Sequence, residues 1–315
     1  MHDSTLDRAR AVLWGQAIGD ALGLATEFMT AAEARLTYPH GISGYADIVR
    51  DHHRSRWPVG AFTDDTDQML CILESLLARG EVDPPDIGRN IARWGATSGL
   101  GIGRTVQRAL DRDGFATDPI AAARQAWEDG RARHAANGAV MRTSVFGVWR
   151  LGDPQATAAV MQGAAAACRV THYDPRCVAS CVAVSLAIRT LVLDPETDRP
   201  ALFASLADLA TLLDPRCAEA FDAASDGRVE ALALDEGMGP GEAGRIGYTL
   251  KALSAGLWAL MHAPDFASGL DRGPVAVRPR PHRDSCRRAD DDPAAEELHC
   301  RRHAEGSGRL SARRR

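Results

Sequence analysis

The stretch Asp174-Pro175-Arg176-Cys177-Val178-Ala179-Ser180-Cys181-Val182-Ala183-Val184-Ser185-Leu186-Ala187-Ile188-Arg189-Thr190-Leu191-Val192-Leu193 has the marks of one long helix. Aspartate is a good N-cap, and proline is tolerated in a first turn, where its missing N–H would have had no partner. The alanine-rich run behind them repeats apolar residues at three- and four-residue spacing, the helical period. The same pattern recurs outward over 6–24, 64–78, 85–94, 119–127, 154–170, 200–213 and 245–262. Two of these segments also open on Asp-Pro, at Asp118-Pro119 and Asp153-Pro154. Alternating runs of β-branched and aromatic residues are almost absent, which argues against a central sheet. No boundary divides residues 1–264 and no repeat of 20–50 residues stands out. The pattern predicts one large all-α domain of ten or more helices.

Composition agrees with a folded domain. The chain has 315 residues, 45% hydrophobic and 25% charged, enough for a substantial core and unlike a disordered or collagen-like chain. No apolar run reaches the roughly 18 to 20 residues needed to cross a bilayer, and residues 1–11 are too charged for a secretory signal. Seven cysteines without regular spacing suit a reducing compartment better than a disulfide scaffold. A cytoplasmic protein without a membrane partner is expected. The net charge of −5 gives no general reason to bind nucleic acid.

The basic residues are unevenly spread. Of 37, only Lys251 is lysine. Residues 265–315 carry 12 arginines and 9 acids, which leaves −8 for residues 1–264. From 272 onward the only aliphatic residues larger than alanine are Val275, Val277, Leu298 and Leu310. Residues 271–315 therefore read as a poorly ordered tail behind a helical domain at 1–270. The acids of the tail nearly balance its arginines, so nucleic-acid binding is not expected there either. Cys286, His299, Cys300 and His303 match no regular zinc spacing.

Four segments carry residues with chemistry. In Phe62-Thr63-Asp64-Asp65-Thr66-Asp67, Thr63 is a natural N-cap and the acids sit on the positive end of the helix dipole. Asp65, Met69, Ile72 and Leu76 fall on one helical stripe, the one that faces the core. A bare carboxylate there is unfavourable unless paired or bound to a cation. A threonine hydroxyl beside two carboxylates offers hard oxygens suited to Mg²⁺, so capping and metal ligation both stay open. In the first helix, Gly15, Gly19 and Gly23 lie four apart, beside Asp20, and allow close approach of another helix or of a ligand. Glu27 follows in an apolar setting that would raise its pKa or bring it to a metal. Asn137-Gly138 signals a turn whose backbone N–H groups, with Arg142 nearby, suit a phosphate. Asp174 caps the helix after Thr171-His172-Tyr173. A histidine in such a junction is by itself more often structural than catalytic.

Taken together, Gly15-Gln16-Ala17-Ile18-Gly19-Asp20-Ala21-Leu22-Gly23 with Glu27, then Thr63-Asp64-Asp65-Thr66, then Asn137-Gly138-Ala139-Val140-Met141-Arg142, then Thr171-His172 resemble the ADP-ribosylglycohydrolases, the group of the dinitrogenase-reductase-activating glycohydrolase. Order and rough spacing match over about residues 6–270. The resemblance implies an orthogonal all-α bundle with two Mg²⁺ (or Mn²⁺) ions in a central cleft. It implies hydrolysis of the N- or O-glycosidic bond joining ADP-ribose to a protein side chain or small acceptor. It places Thr63, Asp64 and Asp65 as metal ligands, and Glu27, Asp64 and Asp65 as the acids of catalysis. It places Asn137, Gly138, Ala139, Met141, Arg142 and His172 against ADP-ribose.

The sequence departs from the family pattern twice. Gly101 in Gly99-Leu100-Gly101-Ile102-Gly103 stands where many bacterial members have an acid. After Leu270, members continue into a Gly-Gly-Asp-x-Asp-Thr segment, whereas here Asp271-Arg272-Gly273-Pro274 leads into the arginine-rich tail. Neither Asp284-Ser285 nor Asp290-Asp291-Asp292 replaces it. A frameshift near 271–274 in a GC-rich gene is the expected origin. Weakened Mg²⁺ binding, low or absent turnover and a missing core helix are the expected consequences. A binding protein without turnover and a purely structural helical protein are the other two classes.

Overall fold

The computed structural model describes residues 3–42, 44–234 and 247–272, all within one compact unit, Met1–Pro279. The arginine-rich stretch 273–315, with Asp284, Asp290 to Asp292 and the Cys/His set, lies outside the described residues.

Thirteen α-helices are described: α1 Asp3–Gly23, α2 Ala31–Thr37, α3 Asp64–Arg79, α4 Pro84–Thr97, α5 Arg104–Leu110, α6 Pro119–Asp129, α7 Ser144–Val148, α8 Thr157–Arg169, α9 Pro175–Leu193, α10 Arg199–Leu213, α11 Ala218–Ser225, α12 Thr249–His262 and α13 Phe266–Arg272. No strand occurs among the described residues, and Ala136 and Tyr248 form an isolated bridge. The all-α expectation holds.

The helix that opened the sequence reading is the axis of the fold. α9 packs against α7, α8, α10 and α12. Cys177, Val178, Cys181 and Val182 join one apolar cluster with Ile72, Ile87 and Phe146, while Ala179 and Ala183 join a second with Leu206, Phe221 and Leu253. Apolar residues on opposite faces are thus both buried, so α9 lacks a polar stripe. It is also long and apolar enough to cross a membrane by length and composition, contrary to the expectation that no such segment exists. Arg176 and Arg189 had interrupted the run in the sequence. Its window is 67% buried inside the protein, as befits a core helix.

Capping decides where helices start. Asp118 and Asp174 accept hydrogen bonds from Ala121 N and Arg176 N as expected. Asp153 instead closes a turn on Gln155 N, so α8 begins at Thr157, three residues beyond the predicted proline start. The five described cysteines are free and buried. Trp14 on α1 and Phe266 on α13 are more than half exposed, at 64% and 54%.

Candidate active site

The site is built where α1 meets the start of α3. Thr63 occupies the N-cap position of α3, but its hydroxyl makes no cap bond. Asp20, reaching across from α1, takes that role. It accepts from Thr63 N at 2.9 Å and Thr66 N at 3.0 Å. It also accepts from the Thr63 hydroxyl at 2.5 Å and the Thr66 hydroxyl at 2.6 Å. A carboxylate on orphan helix N–H groups is a stronger cap than a hydroxyl, which explains the departure from the expected Thr63 cap.

This cap aims the acids of α3. A cleft of about 330 Å³ is lined by Gln16, Gly19, Asp20, Glu27, Thr63, Asp65 and Asn137. An added Cβ at Gly19 or Gly23 would meet nothing within 4 Å. Those two glycines therefore line open space rather than a helix contact, whereas at Gly15 the added Cβ would touch Phe266 at 3.6 Å. Asp65 heads the predicted stripe, with Met69, Ile72 and Leu76 buried behind it.

Crowding sets the electrostatics. Burial, then Glu27, then Asp20 and Asp67 push the Asp64 carboxyl up to about 7. Asp65 is pushed well above the carboxylate range by burial and by Asp20, Asp64 and Glu27. Glu27 is half exposed and pairs with His53 Nε2 at 2.8 Å. Oxygen donors whose mutual repulsion a cation would relieve fit a hard divalent ion such as Mg²⁺. Among the described residues, no group of three or more His, Cys, Asp or Glu side chains is arranged to hold one. The donor chemistry fits, and the described shell is partial.

Gly101 bears on Asp64 directly. Its φ is +93°, and an added Cβ would lie 2.6 Å from Asp64 Oδ1 and 3.3 Å from Trp57. Where relatives were expected to carry an acid, this chain requires a residue without a side chain.

Behind α3 lies a second polar layer. Arg142, expected against substrate, is wholly buried in the core. Its guanidinium donates to Gln68 Oε1 at 2.5 Å, Thr171 Oγ1 at 2.8 Å and Ala167 O at 3.3 Å. Gln68 in turn donates to Asp64 Oδ2 at 3.4 Å. His172 is also buried, with Nδ1 2.8 Å from Thr171 Oγ1 and Nε2 against Gly138. Burial, with the Arg142 charge adding, holds the His172 pKa down to about 3. Ala139 is buried too, and Met141 offers its carbonyl to Gln16 Nε2 at 2.9 Å. Of the six residues expected to hold substrate, Asn137 is the one that lines the cleft, and Arg142 and His172 support the wall from behind.

A scan against protein families matches the ADP-ribosylglycohydrolase family over residues 1–273. The chain belongs to the ADP-ribosylglycohydrolase family. It is 31% identical over 192 residues to the ADP-ribosyl-[dinitrogen reductase] glycohydrolase of Rhodospirillum rubrum, covering 60% of this chain and 59% of that protein. It is 27% identical over 198 residues to the ADP-ribosylarginine hydrolase Tri1 of Serratia proteamaculans, 61% of this chain and 49% of that one. The matches thus span about half to three-fifths of these relatives. A solved structure described as an ADP-ribosylglycohydrolase-related protein complex has a TM-score of 0.56 and 25% identity, covering 88% of this chain and 82% of that one. These family relatives are hydrolases by name, one acting on ADP-ribosyl-dinitrogen reductase and one on ADP-ribosylarginine.

Asp20, whose capping role the sequence motifs do not reveal, is the lone charge between Trp14 and Thr26, a visible signal. His53 and Trp57 were missed outright, because their loop has no helical period to place them.

Proposed function

We propose that this chain hydrolyses the glycosidic bond linking ADP-ribose to a protein side chain or small acceptor, slowly and with help from Mg²⁺. The reading rests on the acid wall, in which Asp20 fixes the α3 start so that Asp65 and Thr63 face a cleft with Glu27 at its mouth. Thr63, Asp64 and Asp65 would hold the metal, which when bound would orient ribose hydroxyls and a water. The acid wall would stabilise the positive charge that grows at the ribose carbon as the bond breaks. Glu27, half exposed and held by His53, would move a proton between water and the leaving group. Asn137 lines the same cleft and would contact the ADP-ribose.

The test is release of ADP-ribose from ADP-ribosylarginine and ADP-ribosylserine peptides by the purified chain with Mg²⁺. Slow, Mg²⁺-stimulated release is expected, lowered at least about a hundredfold by Asp65→Asn. ADP-ribose binding by calorimetry without any release would favour a binding protein instead. No affinity for ADP-ribose would leave only a structural role.

A further inference from the structure

Beyond α1 the chain makes a tight turn, closed by Ala25 N to Leu22 O at 3.1 Å, Thr26 N to Gly23 O at 3.1 Å and Met29 N to Thr26 O at 2.9 Å. The turn carries Glu27 and ends on Phe28, whose φ is +62°. A bulky residue in the left-handed region is an outlier that persists only where its surroundings over-determine it.

The surroundings here are the segment 51–57 together with Tyr38. Arg54, 3% exposed, donates Nε to Ala25 O and Nη2 to Glu27 O, both at 2.8 Å. Asp51 pairs with the Arg54 guanidinium and accepts from Arg54 N at 2.8 Å, which fixes the arginine in turn. The Tyr38 hydroxyl donates to Ala25 O at 2.9 Å. Next to Arg54, His53 places Nε2 2.8 Å from Glu27 Oε2. Its ring meets Phe28 and Trp57 edge-on, each at 5.2 Å between centroids, and Trp57 is buried. The imidazole is therefore wedged on two sides.

We propose that His53 and Arg54 form a two-point positioning clamp for Glu27, Arg54 holding its backbone and His53 its carboxylate. The role in turnover rests on the hydrolase reading above. A glutamate on an exposed turn samples many rotamers, and a group that must meet one reacting atom loses rate when it is free to wander. Both clamp residues lie on one loop, so a single folded segment sets main chain and side chain together.

The side-chain half is tested with His53→Ala and His53→Gln in the full chain. His53→Ala is expected to lower kcat on an ADP-ribosyl peptide about ten- to a hundredfold. KM and the calorimetric affinity for free ADP-ribose should stay within about twofold, as expected for positioning rather than ground-state binding. His53→Gln, whose amide can donate to the same carboxylate, should recover most of kcat. An unchanged kcat in His53→Ala, a parallel loss of ADP-ribose affinity, or no recovery in His53→Gln would each overturn this half.

The backbone half is read without turnover. Arg54→Lys keeps the charge but cannot span both carbonyls, so amide exchange at Ala25, Thr26 and Met29 should rise about tenfold or more while α9 keeps its protection. Unchanged exchange at these amides overturns it. So does a uniform loss of protection that includes α9, for which His53→Ala exchange at the same amides is the milder check. If the unsubstituted chain releases no ADP-ribose, the hydrolase reading and the side-chain half fail together, while the exchange experiment still decides the backbone half.

Discussion

Two layers of polar groups meet at Asp64, and they handle charge in opposite ways. The front layer gathers Asp20, Glu27, Asp64 and Asp65, where burial first and mutual repulsion second push the Asp64 and Asp65 carboxyls upward. The back layer buries one guanidinium among the neutral acceptors Gln68, Thr171 and Ala167 O, beside a histidine kept uncharged. Unrelieved like charge in a cleft is a reserve that a ligand can draw on. A cation buried among neutral acceptors, even with its Nε left unpartnered, fixes geometry from the core and lines no part of the cleft. Proximity in sequence to a family motif therefore did not tell which layer a residue joins.

The largest effect should come from breaking the back layer. Arg142→Met removes three hydrogen bonds and leaves Gln68 and Thr171 without their donor. Loss of about 3 to 5 kcal/mol in urea unfolding is expected. A loss below about 1 kcal/mol would mean that the layer is not structural, and the contrast with the acid wall would collapse.

Acid should separate the layers by sign. His172 has a folded pKa of about 3, below its ordinary 6.5, so on acidification the unfolded chain takes the proton first. Its contribution is complete above pH 6.5 and is lost as pH falls from there toward 3, about 3 kcal/mol by pH 4. Asp64 runs the other way: its folded pKa of about 7 lies above the unfolded value, so protonation below 7 relieves repulsion and adds stability. Urea midpoints at several pH values should show His172→Gln flattening the acid loss and Asp64→Asn removing the opposing gain. Identical pH slopes for His172→Gln and the unsubstituted chain would refute the first half.

The junction between the layers should respond more mildly. Gly101→Ala forces a Cβ against Asp64 Oδ1 at 2.6 Å, on a backbone with φ of +93°. A destabilisation of about 2 kcal/mol follows from strain and contact together, read as a lowered thermal midpoint. A neutral result would show that Asp64 can step aside, and that the family's acid could be restored at this position.

Much of the fold was legible because helices announce themselves locally. The Asp-Pro starts of α6 and α9 are read within a few residues. What escaped was short or distant. α2, α5 and α13 have seven residues each, too few for a period to declare itself. Asp20 acts on Thr63, 43 residues away, and Arg142 on Gln68, 74 residues away, contacts that exist only once the helices are packed. Motif order singled out segments 137–142 and 171–172, but that Arg142 and His172 are buried in the core is a property of packing.

The smallest predicted effect tests the front layer alone. A cation held by Thr63, Asp64 and Asp65 meets hard donors and standing repulsion, but the described residues surround it only in part. Such a partial shell implies a millimolar dissociation constant. At about 5 mM Mg²⁺ the stabilisation should then be about 1 kcal/mol, a thermal shift of roughly 2 to 4 °C. Asp65→Asn should abolish the shift, while Arg142→Met, despite its lower midpoint, should keep it, because the ion acts on the wall and not on the layer behind. A shift of about 10 °C or more would mean that further donors close the shell, and a shift that survives Asp65→Asn would place the ion elsewhere.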